Sequence, residues 1–282
     1  MVAEDALSPT TGVVTLTTDF GLDDAYVGVM KGVILTRAPA ASIVDLSHGV
    51  APQAILEAAL LLESAWRYFP PGTVHLVVVD PGVGTSRRRL AIAAAGQVFV
   101  GPDNGCLSPA LTAAARGRRQ AGEPYAPRTV GVPADVTAVA LANEALLGAT
   151  ISATFEGRDV FAPAAAYLSR GGSIDELGPS LQAIEAFPEL RAPLDAQGGR
   201  DGRVLHVDRF GNLISDIHAA DLPPNPVFAL GGRTIRGLSR TYGAARGLTA
   251  IVGSAGLVEV ALPNASAAAL LGLGAGASVR LS

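Results

Sequence analysis

Three β-branched runs separated by two helical stretches constrain this chain more than any other feature. VVTLT (Val13 to Thr17), SIVDLS (Ser42 to Ser47) and VHLVVVD (Val74 to Asp80) are short and rich in valine, isoleucine, leucine and threonine, as buried strands are. Between the first two, AYVGVMKGVILTRAP reads as a helix stopped by Pro39. Between the second and third, QAILEAALLLESAWRYF carries apolar residues at helical spacing and ends at Pro70 and Pro71. Strands joined by crossover helices run parallel and are covered on both faces, so this order predicts an α/β layer with a mainly parallel central sheet. LAIAAA and QVFVG then predict a hairpin, followed by the loop GPDNG and a short helix from Leu107. Further helices are expected over AVALANEALLGA (Ala138 to Ala149) and DVFAPAAAYLSRG (Asp159 to Gly171).

After this the rhythm changes. Residues 191–202 are polar, glycine-containing and without period, which marks a linker between an α/β domain over 1–190 and a second domain over 203–282. RVLHVD, NLISDI, PVFAL, RTIRGL, LTAIVG, LVEVAL and SVRLS are short runs broken by turns, the spacing of a small antiparallel, barrel-like β domain. ASAAALLGLG supplies its one expected helix.

Composition narrows the function classes. With 49% hydrophobic and 16% charged residues the 282-residue chain can bury a sizeable core. A net charge of -4 and no basic stripe argue against a nucleic-acid partner. The single cysteine, Cys106, rules out an internal disulfide and a cysteine-cluster metal site, and suits a reducing cytoplasm. The polar, acidic start MVAEDALSPTTG lacks the regions of a signal peptide, and no apolar run reaches the roughly 18–20 residues that span a bilayer. A soluble cytoplasmic protein is expected.

The stretch VVVDPGVGTSRRR (Val77 to Arg89) holds the densest polar chemistry. It is no Walker loop, lacking the lysine and its spacing, and Arg87 stands where a GxGxxG pattern needs its last glycine. Either Asp80 caps a turn beside solvated arginines, or the two signs of charge frame a ligand. Position favours the second reading, because ligands in open α/β sheets bind at strand C-termini. Asp19 follows the first strand and Asp45 lies in the second. Asp19 is placed to accept hydrogen bonds from sugar hydroxyls, whereas Asp23 and Asp24 suit a helix N-cap run. GPDNG, DRFGN and VGSAG are turns by composition.

Taken in order, TTDFGLDDAYVG, VDLSHGV, VVVDPGVGTSRR, GPDNG, TFEGRDVFAP, DRFGNLISDI and GSAGLVEVA resemble the S-adenosylmethionine hydroxide adenosyltransferases, relatives of the fluorinase and chlorinase. The resemblance runs from about Val13 to Leu281. It implies the two-domain fold already drawn, and attack of water or hydroxide on the ribose 5′ carbon of S-adenosylmethionine, releasing adenosine and methionine. Neither metal nor cofactor is implied. Homotrimers, with active sites shared between subunits, are the family habit.

The resemblance also assigns residues. Asp80 and Arg87 correspond to two members of a water-handling triad, and a halogenase carries tyrosine at the position of Asp80. Asp19 matches the acid that grips the ribose hydroxyls. Asp208 and Ser254 match residues at the amino-acid end of the substrate, and Asn212 one near the adenine. Phe155 and Tyr242 match aromatics of the nucleoside pocket, while Ala255 replaces an arginine used by the halogenases. The third triad member is a histidine in the family's TFHGRD; here TFEGRD puts Glu156 there. Glu156 then acts as base in its place, or pairs with Arg87 and leaves a slow enzyme, or is an exchange that weakens catalysis. The alternatives to a hydrolase are a protein that binds S-adenosylmethionine or adenosine without turnover and, less favoured because of Asp80, a halogenase. His48 and Cys106 read as structural.

Overall fold

The computed structural model describes residues 10–148 and 150–282, so the expectations for the first nine residues and for Ala149 lie outside it. The chain forms two compact units. The first holds the residues up to Arg116 together with Pro127–Phe187; the second holds Gly117–Ala126 and Pro188–Ser282.

In the first unit β1 (Val13–Thr18), α1 (Tyr26–Arg37), β2 (Ser42–Ser47), α2 (Ile55–Ala65) and β3 (Val74–Val78) follow the predicted order. A hairpin comes next, made of β4 (Arg89–Ala94) and β5 (Gln97–Pro102). The short elements α3 (Ala113–Arg116), β6 (Arg128–Gly131), β7 (Thr137–Ala140), α4 (Glu144–Leu147), α5 (Ala162–Ser169) and β8 (Ala183–Ala186) complete it. The main sheet has the order β2-β1-β3-β5-β4-β7. Its first four strands are parallel, and β4 runs antiparallel to both β5 and β7. This is the mainly parallel α/β sheet that the alternation of strands and helices requires.

Both faces are covered. Leu16, Leu76, Val78 and Ala91 pack under Met30 and Ile34 of α1 and the alanines of α5. Val77, Val79, Leu90 and Phe99 pack against Ala58 and Leu62 of α2 and against Trp66. At about 1.5–3 kcal/mol for each large apolar side chain removed from water, this two-sided burial explains why β3 shows no polar alternation.

One polar group is buried in that strand. His75 accepts or donates a 2.8 Å hydrogen bond with Thr15 Oγ1 and stacks on Phe99, with ring centroids 5.1 Å apart. Burial lowers its pKa from 6.5 to about 4, against a smaller opposing pull from Gln97. The unfolded chain therefore takes up a proton near pH 6.5 while the folded chain does not, and stability falls as the pH drops from 6.5 towards 4. His75→Asn should remove this acid sensitivity. In urea titrations at several pH values, the wild type is expected to lose about 3 kcal/mol more than the variant across that interval. Parallel pH profiles would count against it.

Two expectations about helices in the first unit are corrected. Residues 138–149 are not one helix: β7 occupies the first part and α4 the second, capped by Asn143 Oδ1, which accepts from Ala145 N. AVALA has no helix-specific pattern, and the open edge of β4 captures it as a strand. Nor do Asp23 and Asp24 cap α1, whose N-cap residue is Ala25, with no side-chain capping bond.

The second unit is a seven-stranded antiparallel sheet. Its strands are β9 (Arg200–Val207), β10 (Leu213–His218), β11 (Val227–Leu230), β12 (Arg233–Arg236), β13 (Thr249–Val252), β14 (Leu257–Ala261) and β15 (Ser278–Leu281). They lie in the order β12-β11-β15-β9-β10-β14-β13. Just beyond β12, Ser239 N donates to Ala250 O of β13 at 2.9 Å, so the two ends of the sheet meet and nearly close a barrel. The one helix is α6 (Ala267–Leu271), as expected.

The stretch read as a linker belongs to this unit. Ala192 is part of its core, Ala192 N donates to Asp216 O, and Arg191 and Arg200 both pair with Asp221. Gly117–Ala126 joins it as well, through hydrogen bonds from Arg119 and Tyr125 to the buried Asp216. Polar composition hid these ties, because ion pairs leave no hydrophobic period. Among the described residues no helix is long and apolar enough to cross a membrane.

Candidate active site

The turn after β3 folds back on itself. Asp80 Oδ1 accepts from Gly82 N at 3.2 Å, and Thr85 Oγ1 donates to Gly82 O and accepts from Arg87 N. Gly84 has φ +76°, and a Cβ there would lie 2.4 Å from Ala153 O, so only glycine lets this turn touch the segment leading to Glu156. The reversal returns Arg87 onto Asp80. Its Nε donates to Asp80 Oδ1 at 3.0 Å and its Nη2 to Asp80 Oδ2. The same Nη2 donates to Glu156 Oε2 at 2.7 Å.

The three arginines divide by parity. Arg88 bonds Asp103 of the GPDNG loop, whose other oxygen accepts from Glu185 N, and Asn104 ties that loop to Val79 O. Arg89, on the opposite side, donates from Nη2 to Glu156 Oε1 at 2.6 Å. Glu156 is 2% exposed and immediately precedes a π-helical turn, Gly157–Phe161, that leads into α5. Such turns recur at functional positions.

One cation between two buried carboxylates separates their behaviour. Burial pushes the Asp80 carboxyl above its usual range; Arg87 only partly offsets this, and the charge on Glu156 adds to the rise. Burial also pushes Glu156 up, but hydrogen bonds from Arg89 and Arg87 outweigh it and hold this carboxyl below its usual range.

Asp80 and Glu156 line a cavity of about 440 Å³ together with Asp19, Gln53, Phe20, Tyr26 and Phe155. Arg87 bridges the two acids without lining it, a placement that sequence reasoning did not anticipate. Asp19 Oδ2 accepts from Gln53 N at 2.8 Å. Phe155 meets Tyr26 edge-on at 5.2 Å and Phe20 at 6.0 Å, making an aromatic wall. Sequence reasoning missed Arg89, Phe20 and Tyr26. The signal for Arg89 is the two-residue period of β4, which sets it on the face of Ala91 and Ala93, the face covered by α5.

Asp45 takes no place in the cavity wall. It is held by Lys31 at 2.6 Å and by His48 Nε2 at 3.0 Å, while His48 Nδ1 bonds Thr18 Oγ1. His48 is thus a tie between loops, and its carbonyl accepts from Gly21 N beside Asp19. Cys106 is buried, with its thiol pushed up by that burial. Among the described residues no group of three or more His, Cys, Asp or Glu is arranged to hold a metal ion.

The second unit has a cavity of its own, of about 850 Å³, lined by Asp208, Asn212, Tyr242, Ser254 and Glu259 among others. Asp208 shapes the DRFGN turn: it accepts from Phe210 N and Asn212 N through Oδ1, and from Asn212 Nδ2 through Oδ2. Tyr242 donates its hydroxyl to Glu259 Oε2 at 2.6 Å. The nine residues singled out from the sequence therefore fall into two groups. Asp19, Asp80, Arg87, Phe155 and Glu156 gather in the first unit; Asp208, Asn212, Tyr242 and Ser254 gather in the second.

Two family models match the chain. The SAM hydroxide adenosyltransferase N-terminal domain covers residues 14–178, and the C-terminal domain of the same family covers residues 202–280. The chain belongs to the SAM hydroxide adenosyltransferase family. A Thermus thermophilus protein named (R)-S-adenosyl-L-methionine hydrolase is 43% identical over 93% of this chain and 96% of its own length. A fluorinase from Actinoplanes sp. is more distant, at 25% identity over 74% of this chain and 73% of its own. The crystal structure of an uncharacterized conserved protein from Thermotoga maritima superimposes with a TM-score of 0.80 at 31% identity, covering 95% of this chain and 99% of that one. The family membership extends over both units and both cavities.

Proposed function

We propose that this SAM hydroxide adenosyltransferase hydrolyses S-adenosylmethionine to adenosine and methionine by attack of water on the ribose 5′ carbon. The observation that carries the reading is the pair of carboxylates, Asp80 and Glu156, at the wall of one cavity, joined through Arg87 and with Glu156 alone held also by Arg89, an arrangement that leaves Asp80 the more basic of the two. Two titratable groups so separated divide the work of proton transfer. Asp80, the more basic, accepts the proton of a water held against it; Glu156 stays ionised and fixes Arg87. The new C5′–O bond forms as the C5′–S bond breaks, the bonding pair leaves with sulfur as a neutral thioether, and the proton passes from Asp80 to solvent. Holding water in line behind the carbon supplies much of the acceleration.

Methionine leaves without protonation, so the reaction calls on no cofactor and should survive dialysis against a chelator. In the same reading Asp19 takes the ribose hydroxyls and Phe155 flanks the nucleoside. Asp208, Ser254, Asn212 and Tyr242 take the amino-acid and adenine ends. Two carboxylates at the wall repel halide, which favours water over chloride or fluoride. The enzyme so proposed works as a cytoplasmic homotrimer, and a monomer mass in sedimentation equilibrium would overturn the trimer.

The test is incubation of the purified protein with S-adenosylmethionine in ¹⁸O-labelled water. Adenosine and methionine should appear in equal amounts, with the label in the 5′-hydroxyl. Intact substrate beside folded protein overturns the reading and leaves a binding protein, if calorimetry shows uptake. A 5′-chloro nucleoside formed in chloride would mark a halogenase instead.

A further inference from the structure

We infer that Arg89 is a positioning residue of this site, which fixes Glu156 and neutralises the second buried negative charge beside Asp80. The inference rests on the hydrolytic reading above. Glu156 presents its two oxygens to two different arginines: Oε2 to Arg87 at 2.7 Å and Oε1 to Arg89 at 2.6 Å. Both oxygens are thereby fixed, and the carboxyl plane is set by partners from two directions. A neutral histidine could bond Arg87 without adding charge. A glutamate in the same place adds a second buried negative charge beside Asp80, and something must neutralise it.

Arg89 does so. With it, Asp80 and Glu156 face Arg87 and Arg89, two charges of each sign. Without it, two carboxylates share one guanidinium, and the pair takes up a proton at a higher pH than before. With its hydrogen bond from Arg89 gone, Glu156 becomes more basic, and a proton held between the two acids leaves the site's base less able to accept one from water. Other ionisable groups nearby are Asp19 and Tyr26 on the same cavity wall, with Cys106 and the Arg88–Asp103 pair behind Asp80. None of these donates to Glu156. Arg89 does not line the cavity, and its contact with the site is the one to Glu156, so it acts through that carboxylate rather than on the substrate.

The experiment compares Arg89→Gln and Arg89→Lys with the wild type in the full chain. It records kcat/KM against pH and, separately, the melting midpoint against pH. Arg89→Gln should move the acid limb of kcat/KM upward by about one pH unit, the scale of one lost neighbouring charge. Arg89→Lys, which keeps the charge, should restore it, and adding Glu156→Gln to Arg89→Gln should bring the limb back down. An acid limb unmoved in Arg89→Gln overturns the inference whatever the rate, as does an Arg89→Lys profile no different from that of Arg89→Gln.

Melting needs no turnover and separates this failure from failure of the hydrolytic reading. The lowered pKa of Glu156 contributes stability above its unfolded value, 4.5, and loses it as the pH falls through the folded value. The deficit of Arg89→Gln should therefore be full at neutral pH and shrink on acidification below about 5. A deficit constant with pH overturns the inference even if the wild type makes no adenosine.

Discussion

Exchanging Arg87 for methionine is expected to cost this protein both its turnover and a large part of its stability. One guanidinium makes three hydrogen bonds to two buried carboxylates and a fourth from Nη1 to Arg88 O at 2.9 Å. It also lies over the Phe161 ring, 5.6 Å from the centroid, so its stem and plane are packed. Removing one partner of a buried pair leaves its mates charged and unpaired, a loss on the order of 3–5 kcal/mol. Here Glu156 keeps Arg89 and the cavity admits solvent, so the lower figure applies. For a unit of this size that is a fall in melting midpoint of roughly 10 °C. Turnover should drop at least about 10²–10³-fold, as when a preorganised electrostatic group is removed. Arg87→Lys should recover little, because an ammonium cannot hold two carboxylates through a planar fork. A variant melting within about 2 °C of the wild type would show that the pair of acids does not depend on this cation.

The part of the molecule that sequence made legible is the part whose side chains have a period. β1 and β3 are buried on both faces, β2 is a short β-branched edge strand beside them, and α1 and α2 repeat their apolar residues at helical spacing, so each declares itself within its own residues. The antiparallel unit was equally plain, because short apolar runs alternate with turns. What stayed hidden depends on partners far away in the chain. Residues 137–140 are a strand only because β4 offers an edge, and alanine has no voice in that choice. The residues around Ala192 belong to the second unit through Asp216 and Asp221, which no local pattern announces. At the site, motif order picked out Asp80, Arg87 and Glu156, and all three meet. It did not show that Arg87 lies between the two acids, nor that Arg89 shares Glu156. Yet parity along β4 already set Arg89 on the face of Ala91 and Ala93, and a strict reading of strand faces would have found the second arginine.

Asp80→Asn should separate activity from stability, where Arg87→Met loses both. The raised pKa of Asp80 means that in the folded protein its charged form is disfavoured relative to water, burial outweighing Arg87. By linkage, a carboxyl raised in the fold destabilises it once ionised, so its neutral form is the one that stability prefers. Asparagine supplies that neutral form with the same shape. Its amide oxygen can still accept from Arg87, and Glu156 remains to balance the guanidinium. The melting midpoint at neutral pH should accordingly stay level or rise. Catalysis should not survive, since an amide cannot take a proton from water, and loss of a general base together with its charge costs about 10²–10⁴-fold. The wild-type rate should fall on acidification at a pH above the ordinary aspartate value of 3.8, as Asp80 takes up its proton, and this limb should be absent from the residual activity of Asp80→Asn. The measurements are single-turnover rates across pH and thermal unfolding of both proteins. An Asp80→Asn variant that melts well below the wild type would mean that Asp80 is held for structure, and one that keeps its rate would mean that the proton goes elsewhere. A site whose best base is also its least comfortable charge is what strain kept for function looks like, and stability recovered only when the reaction is lost is its signature.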